Sequence, residues 1–125
     1  MKIYTGYFAQ SKRYQKEGLV LISIARFNRF FNGNELKILA PPANIIHEPE
    51  KTYIPKYLAI LNKLSKQRIL DNIKYLSNDN DCILLCYEKP GDFCHRNLVA
   101  EWLGEHCEGE FMIGKKQEER HPELW

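Results

Sequence analysis

The chain has 125 residues, 44% hydrophobic and 27% charged, an ordinary globular balance at one domain's length. Eighteen Lys and Arg against sixteen Asp and Glu leave a net charge of +2, so bulk charge neither demands nor excludes a polyanionic partner. No apolar run reaches the roughly 18 residues of a membrane span, and the opening MKIYTGYFAQ has no signal-peptide core. Transmembrane, signal-exported and collagen-like classes drop out, and a cytoplasmic protein with no membrane partner is expected.

In chain order, KIYT (residues 2–5) reads as a short strand ended by Gly6. The polar stretch from Phe8 to Glu17 is helix-compatible, with Gly18 as its stop. LVLISI (19–24) is a continuous apolar, β-branched run, the pattern of a strand buried on both faces. An irregular stretch from Arg26 to Thr52 follows, with a short strand or turn around residues 36–39. Tyr53 to Leu76 is the most helical segment, with Pro55 suited to a first turn and Ser65 placed to cap a second helix, so one long helix and two shorter ones are both open. CILLC (82–86) is a second buried strand. A loop over 87–93 leads to a helix over about 94–105, with Leu98, Val99, Trp102 and Leu103 on its inner face. A final strand at 111–113 and a polar tail over 115–125 complete the chain. Strands separated by helices predict one α/β domain over residues 1–114: a small, three-layer, mainly parallel, Rossmann-like sheet with helices on both faces.

That topology has a functional consequence. In open parallel sheets ligands bind in the crevice beyond the carboxyl ends of the strands. Thr5-Gly6-Tyr7, Ser23 to Arg26 and Cys86-Tyr87-Glu88 all leave those ends, so their polar groups are candidates to share one crevice.

The four cysteines are Cys82, Cys86, Cys94 and Cys107. A chain of this size builds a core without staples, and Cys82 and Cys86 lie in an apolar run, so reduced thiols are expected. The chemistry concentrates in CILLCYEKPGDFCHR (82–96). Cys86 and Glu88 are two apart and share a side of an extended strand end. Asp92 is a good N-cap, and Cys94, His95 and Arg96 open the helix, where unpaired N–H groups and the dipole favour a thiolate or a bound anion. One stretch thus offers a nucleophile (Cys86 or Cys94), an acid/base pair (Glu88, His95) and an anion clamp (Arg96). The same residues admit a structural reading: Cys86 in the core, Cys94 packed under the helix, Glu88 and Arg96 an ion pair.

A strand ending in Cys-x-Glu, a Pro/Gly/acidic loop, then Cys-His-Arg opening a helix resembles the uncharacterised bacterial family catalogued as domain of unknown function 488. Cys86, Glu88, Cys94, His95 and Arg96 carry the resemblance, supported by NLVAEWL, IYTGY and Leu39-Ala40-Pro41. Ser23-Ile24-Ala25-Arg26 stands at the place where many members have Asp-Val-Arg, so a role for that Asp does not transfer to Ser23 or Ala25. The resemblance implies a compact α/β fold and an enzymatic site at the Cys/Glu and Cys-His-Arg elements, with no reaction to inherit.

Other chemistries fit less well. Zinc would draw on Cys86, Cys94, His95 and Cys107, but no C-x-x-C knuckle exists and adjacent Cys94 and His95 diverge on a helix; no metal and no cofactor are expected. The cysteine-phosphatase loop needs an Arg where Ala100 stands. Arg26 to Phe31 interleaves basic and aromatic residues, as base-stacking surfaces do. His47 is expected to be a loop histidine, His106 and Cys107 to close the last helix, and Trp125 to end a solvated tail.

The expected function is a small enzyme acting on an anionic, nucleotide-like or nucleic-acid-like substrate. Cys86, Glu88, Cys94 and His95 are its catalytic candidates, and Arg96, Arg26, Thr5 and Tyr7 its substrate-binding ones. The alternative is a non-catalytic anion- or nucleotide-binding module using the same crevice. The sequence does not set the oligomeric state.

Overall fold

A computed structural model describes residues 1–27, 31, 33–87 and 95–104. Within them lie strands β1 (Ile3–Tyr7), β2 (Val20–Ser23), β3 (Asn34–Glu35) and β4 (Cys82–Cys86), and helices α1 (Ser11–Lys16), α2 (Glu50–Asn62), α3 (Lys66–Ser77) and α4 (His95–Leu103). The strands form one all-parallel sheet in the order β1-β4-β2-β3. This is the expected Rossmann-like α/β architecture. The turn over 89–92 with its Asp92 cap, the strand at 111–113, the helix end at His106 and Cys107, and the polar tail lie outside the described residues.

The apolar runs explain the centre of the sheet. Every residue of β4 is buried, and Ile83, Leu84 and Leu85 are fully enclosed. A strand between two others, covered on both faces, has no solvent side for a polar residue to occupy. Each enclosed aliphatic chain contributes about 1.5–3 kcal/mol relative to exposure. Alternation along the strands divides the core in two. Ile3, Ile22, Ile24, Cys82 and Leu84 face α2, α3 and α4, while Tyr4, Ile83 and Leu85 pack with Tyr14 of α1.

Several local expectations are refined. β1 runs through Gly6 instead of stopping there. A Cβ at residue 6 would stand 2.6 Å from Tyr14 Oη and 2.7 Å from Ile83 Cδ1, so the glycine admits the tyrosine of α1 and does not break the strand. The polar stretch after it holds a 3-10 turn (Phe8–Gln10) and α1, ended by Gly18 at φ +85°. The segment around residue 36 combines the two-residue β3 with a 3-10 turn over Lys37–Leu39.

The long helical segment is two helices. Ser65 Oγ accepts a hydrogen bond from Arg68 N at 3.3 Å and so starts α3. α2 begins at Glu50 behind Pro49, which places Pro55 inside the helix and not in its first turn. That proline deletes one N–H bond, and the burial of Tyr53, Tyr57 and Leu61 on the same helix offsets the loss. α3 ends on Asn78 in the left-handed conformation at φ 53°.

Candidate functional site

The register sets the geometry. Tyr7 pairs with Cys86 and Ser23 with Leu85, so β1, β4 and β2 finish level with one another at one end of the sheet. Ile24 N donates to Leu85 O at 3.0 Å and carries β2 one residue beyond its strand. α4 starts at this same end, because its first two residues, His95 and Arg96, bond to groups that leave it.

Arg96 is the most heavily enclosed charge among the described residues, at 1% exposure. Its Nη1 donates to Cys86 Sγ at 3.1 Å, and its Cζ lies 6.0 Å from the centre of the Tyr7 ring, at the outer reach of a cation–π contact. Cys86 is disulfide-bonded, and its partner is not among the described residues. The expectation of reduced thiols therefore holds for Cys82, which stays a buried thiol, and is corrected for Cys86. An apolar neighbourhood in sequence does not report which sulfurs the topology brings together.

His95 is also buried but differently used. Its Nε2 lies 2.7 Å from Ile24 O. A carbonyl only accepts, so Nε2 carries the proton and donates it, fixing the tautomer. Burial, with the Arg96 charge adding to it, outweighs the bond to Ile24 and lowers the imidazole pKa from 6.5 to about 4. The ring is neutral near neutral pH, and it ties the start of α4 to the end of β2.

The remaining candidates are spread around this centre. Thr5 is fully buried mid-strand opposite Leu84. Arg26 is half-buried and directs Nε to Pro41 O at 3.0 Å and Nη2 to Ala40 O at 3.3 Å, while its own carbonyl accepts from Lys37 Nζ at 2.6 Å. It binds the loop that follows β3. Glu88 and Cys94 lie outside the described residues. Tyr7, Cys86 and Arg96 thus come together, His95 stands beside them on α4, and Arg26 is engaged with residues 40 and 41.

Two tyrosines support this end of the sheet without having been singled out in sequence. Tyr57 presents its ring edge-on to His95 with centroids 5.6 Å apart, and its hydroxyl donates to Leu39 O. Burial raises its pKa well above 10. Tyr14 Oη accepts from Tyr7 N at 3.5 Å, and burial pushes its pKa up to about 12. Tyr57 shows in sequence only as one member of a helical stripe, and Tyr14 only as an aromatic in a polar segment. The missing signal was the glycine at residue 6, whose empty Cβ position marks a close neighbour.

Among the described residues no group of three His, Cys, Asp or Glu side chains is placed to hold a metal ion. No helix among them is long and apolar enough to cross a membrane. In comparisons with known proteins, neither a curated protein nor a solved structure matches the chain. One family model does: DUF488-N3a, described as the active DUF488-N3 subclade, matches residues 7–107.

Proposed function

The chain belongs to the DUF488 family, in its active DUF488-N3 subclade, and from that premise we propose that it is a small enzyme acting on an anionic, nucleotide-like or nucleic-acid-like substrate beyond the carboxyl ends of β1, β4 and β2. The observation that carries this reading is the buried Arg96 guanidinium 3.1 Å from Cys86 Sγ. A cation so close favours the thiolate over the thiol, so two-electron reduction of the disulfide by a pair of external thiols, themselves oxidised to a disulfide, frees both sulfurs and leaves Cys86 ionised.

In this reading Cys86 or Cys94 is the nucleophile, Glu88 the general acid/base, and Arg96 the group that holds the substrate's charge. The Tyr7 ring closes one side of the guanidinium. His95, neutral and bound through Nε2, is a positioning residue that keeps Arg96 at the strand ends. Arg26 and Thr5 shape the crevice, the first through the loop at residues 40–41 and the second from within β1.

A second reading, capture of the anion without chemistry, is favoured by one observation: Cys86 is disulfide-bonded and in that state offers no thiolate. Thiolate absorbance of the reduced chain, with Cys86 as the sole cysteine, separates the two. Cys86 is expected to ionise below the ordinary thiol value of about 8.5, to return toward it in Arg96→Gln, and to be shielded from alkylation by a nucleotide. An ordinary thiol titration that Arg96→Gln does not move defeats the catalytic role of Cys86; shielding that persists alongside it leaves capture.

A further inference from the structure

Phe8 and Tyr87 directly follow Tyr7 and Cys86, and alternation along the strands turns them to the opposite face of the sheet from Arg96. There the rings meet. The Phe8 centroid lies 5.2 Å from that of Phe31 and 4.7 Å from that of Tyr87, with interplanar angles of 53° and 50°. Gly33 seats the Phe31 ring, since a Cβ there would stand 2.8 Å from its Cζ. Tyr87 is still 50% exposed.

These rings line a cavity of about 570 Å³ with Leu21 and the residues that open α1, within the usual range of small-molecule sites of about 300–1,000 Å³. Among the described residues that line it, Lys12 and Arg13 are cations, Gln10 and Gln15 contribute amides that both donate and accept, and none is a carboxylate. A purely aliphatic ligand has no use for the cations. A bare anion has no use for three rings.

We propose that this cavity is a nucleotide-binding site, with the base against Phe8 and Tyr87 and the phosphate toward Lys12 and Arg13. Base–aromatic stacking tolerates any base, and the phosphate adds a salt-dependent attraction. The site uses none of Cys86, His95 or Arg96, so it does not depend on the crevice reading. A free nucleotide and a nucleotide within a single strand present the same chemistry.

The test is an amide- and aromatic-resolved NMR titration of the intact chain with adenosine monophosphate, adenosine, inorganic phosphate and a short single-stranded oligoadenylate. The monophosphate is expected to saturate shifts at Phe8, Phe31, Tyr87 and Lys12, adenosine to bind more weakly, and inorganic phosphate to leave those rings unmoved. Phe8→Ala should weaken monophosphate binding about tenfold or more. Lys12 is exposed, so Lys12→Glu should keep the fold and erase the preference for monophosphate over adenosine. Tighter, more salt-sensitive binding of the oligonucleotide assigns the site to a strand, and equal binding assigns it to free nucleotide. Absence of saturable shifts, or affinity untouched by both substitutions, overturns the proposal. Shifts confined to Tyr7, Ala25 and His95 also overturn it, while leaving the crevice reading standing.

Discussion

His95 spends its one proton on a backbone carbonyl, and that choice sets a measurable pH dependence. The folded pKa is about 4 and the ordinary value is 6.5. As pH falls below about 6.5, the unfolded chain takes up a proton that the folded protein refuses until about pH 4. Stability is therefore lost as pH drops through that window, by up to roughly 3 kcal/mol at its lower end. Urea unfolding of the wild type across this range, compared with His95→Gln, checks it. A glutamine amide can still donate to Ile24 O but does not titrate, so the variant's midpoint should fall less steeply; identical slopes would remove His95 from the account. At this scale the sequence was informative for Arg96 and Cys86, because a helix's first turn and a strand's last residue both lead to the carboxyl end of a parallel sheet. It was silent on Tyr57, which reaches His95 from 38 positions away, and it pointed to a reduced Cys86 where the structure has a disulfide. Both depend on contacts between elements, which no local pattern encodes.

Between elements, the tightest constraint is the approach of α1 to β1. Tyr14 lies over Gly6 with no room for a methyl group, and it shares a core cluster with Ile83 and Leu85. Gly6→Ala is expected to cost about 1–3 kcal/mol, the usual price of overpacking, read as a lower denaturant midpoint with an unchanged slope. A wild-type midpoint would mean that Tyr14 can shift without penalty. The break at Ser65 was readable because a capping serine satisfies helix N–H groups through its own side chain. The start of α2 was misjudged for the opposite reason. Proline favours a first turn only as a prior, and Pro55 is held further inside by three buried neighbours on its helix.

Over the whole molecule, the apolar runs LVLISI and CILLC announced a parallel sheet, since helices on both faces allow strands without polar alternation. Strand order was not announced, because both runs are equally apolar, and the two-residue β3 is too short to show any period. The order assigns the strands unequal roles. β4 is hydrogen-bonded on both sides, whereas β3 is a two-residue edge. Native-state hydrogen exchange should place the amides of Ile83, Leu84 and Leu85 near the limit of global unfolding, with Glu35 exchanging far sooner. Comparable protection at both places would mean that the sheet opens as one unit, contrary to this arrangement.

The strand that joins β1 to β2 is synthesised last of the four. A ribosome that has delivered residues 1–81 has made two ribbons with the gap between them still to be filled. Until CILLC clears the exit tunnel, those ribbons have nothing to pair with on their inner edges, and their apolar side chains remain open to chaperones and to other nascent chains.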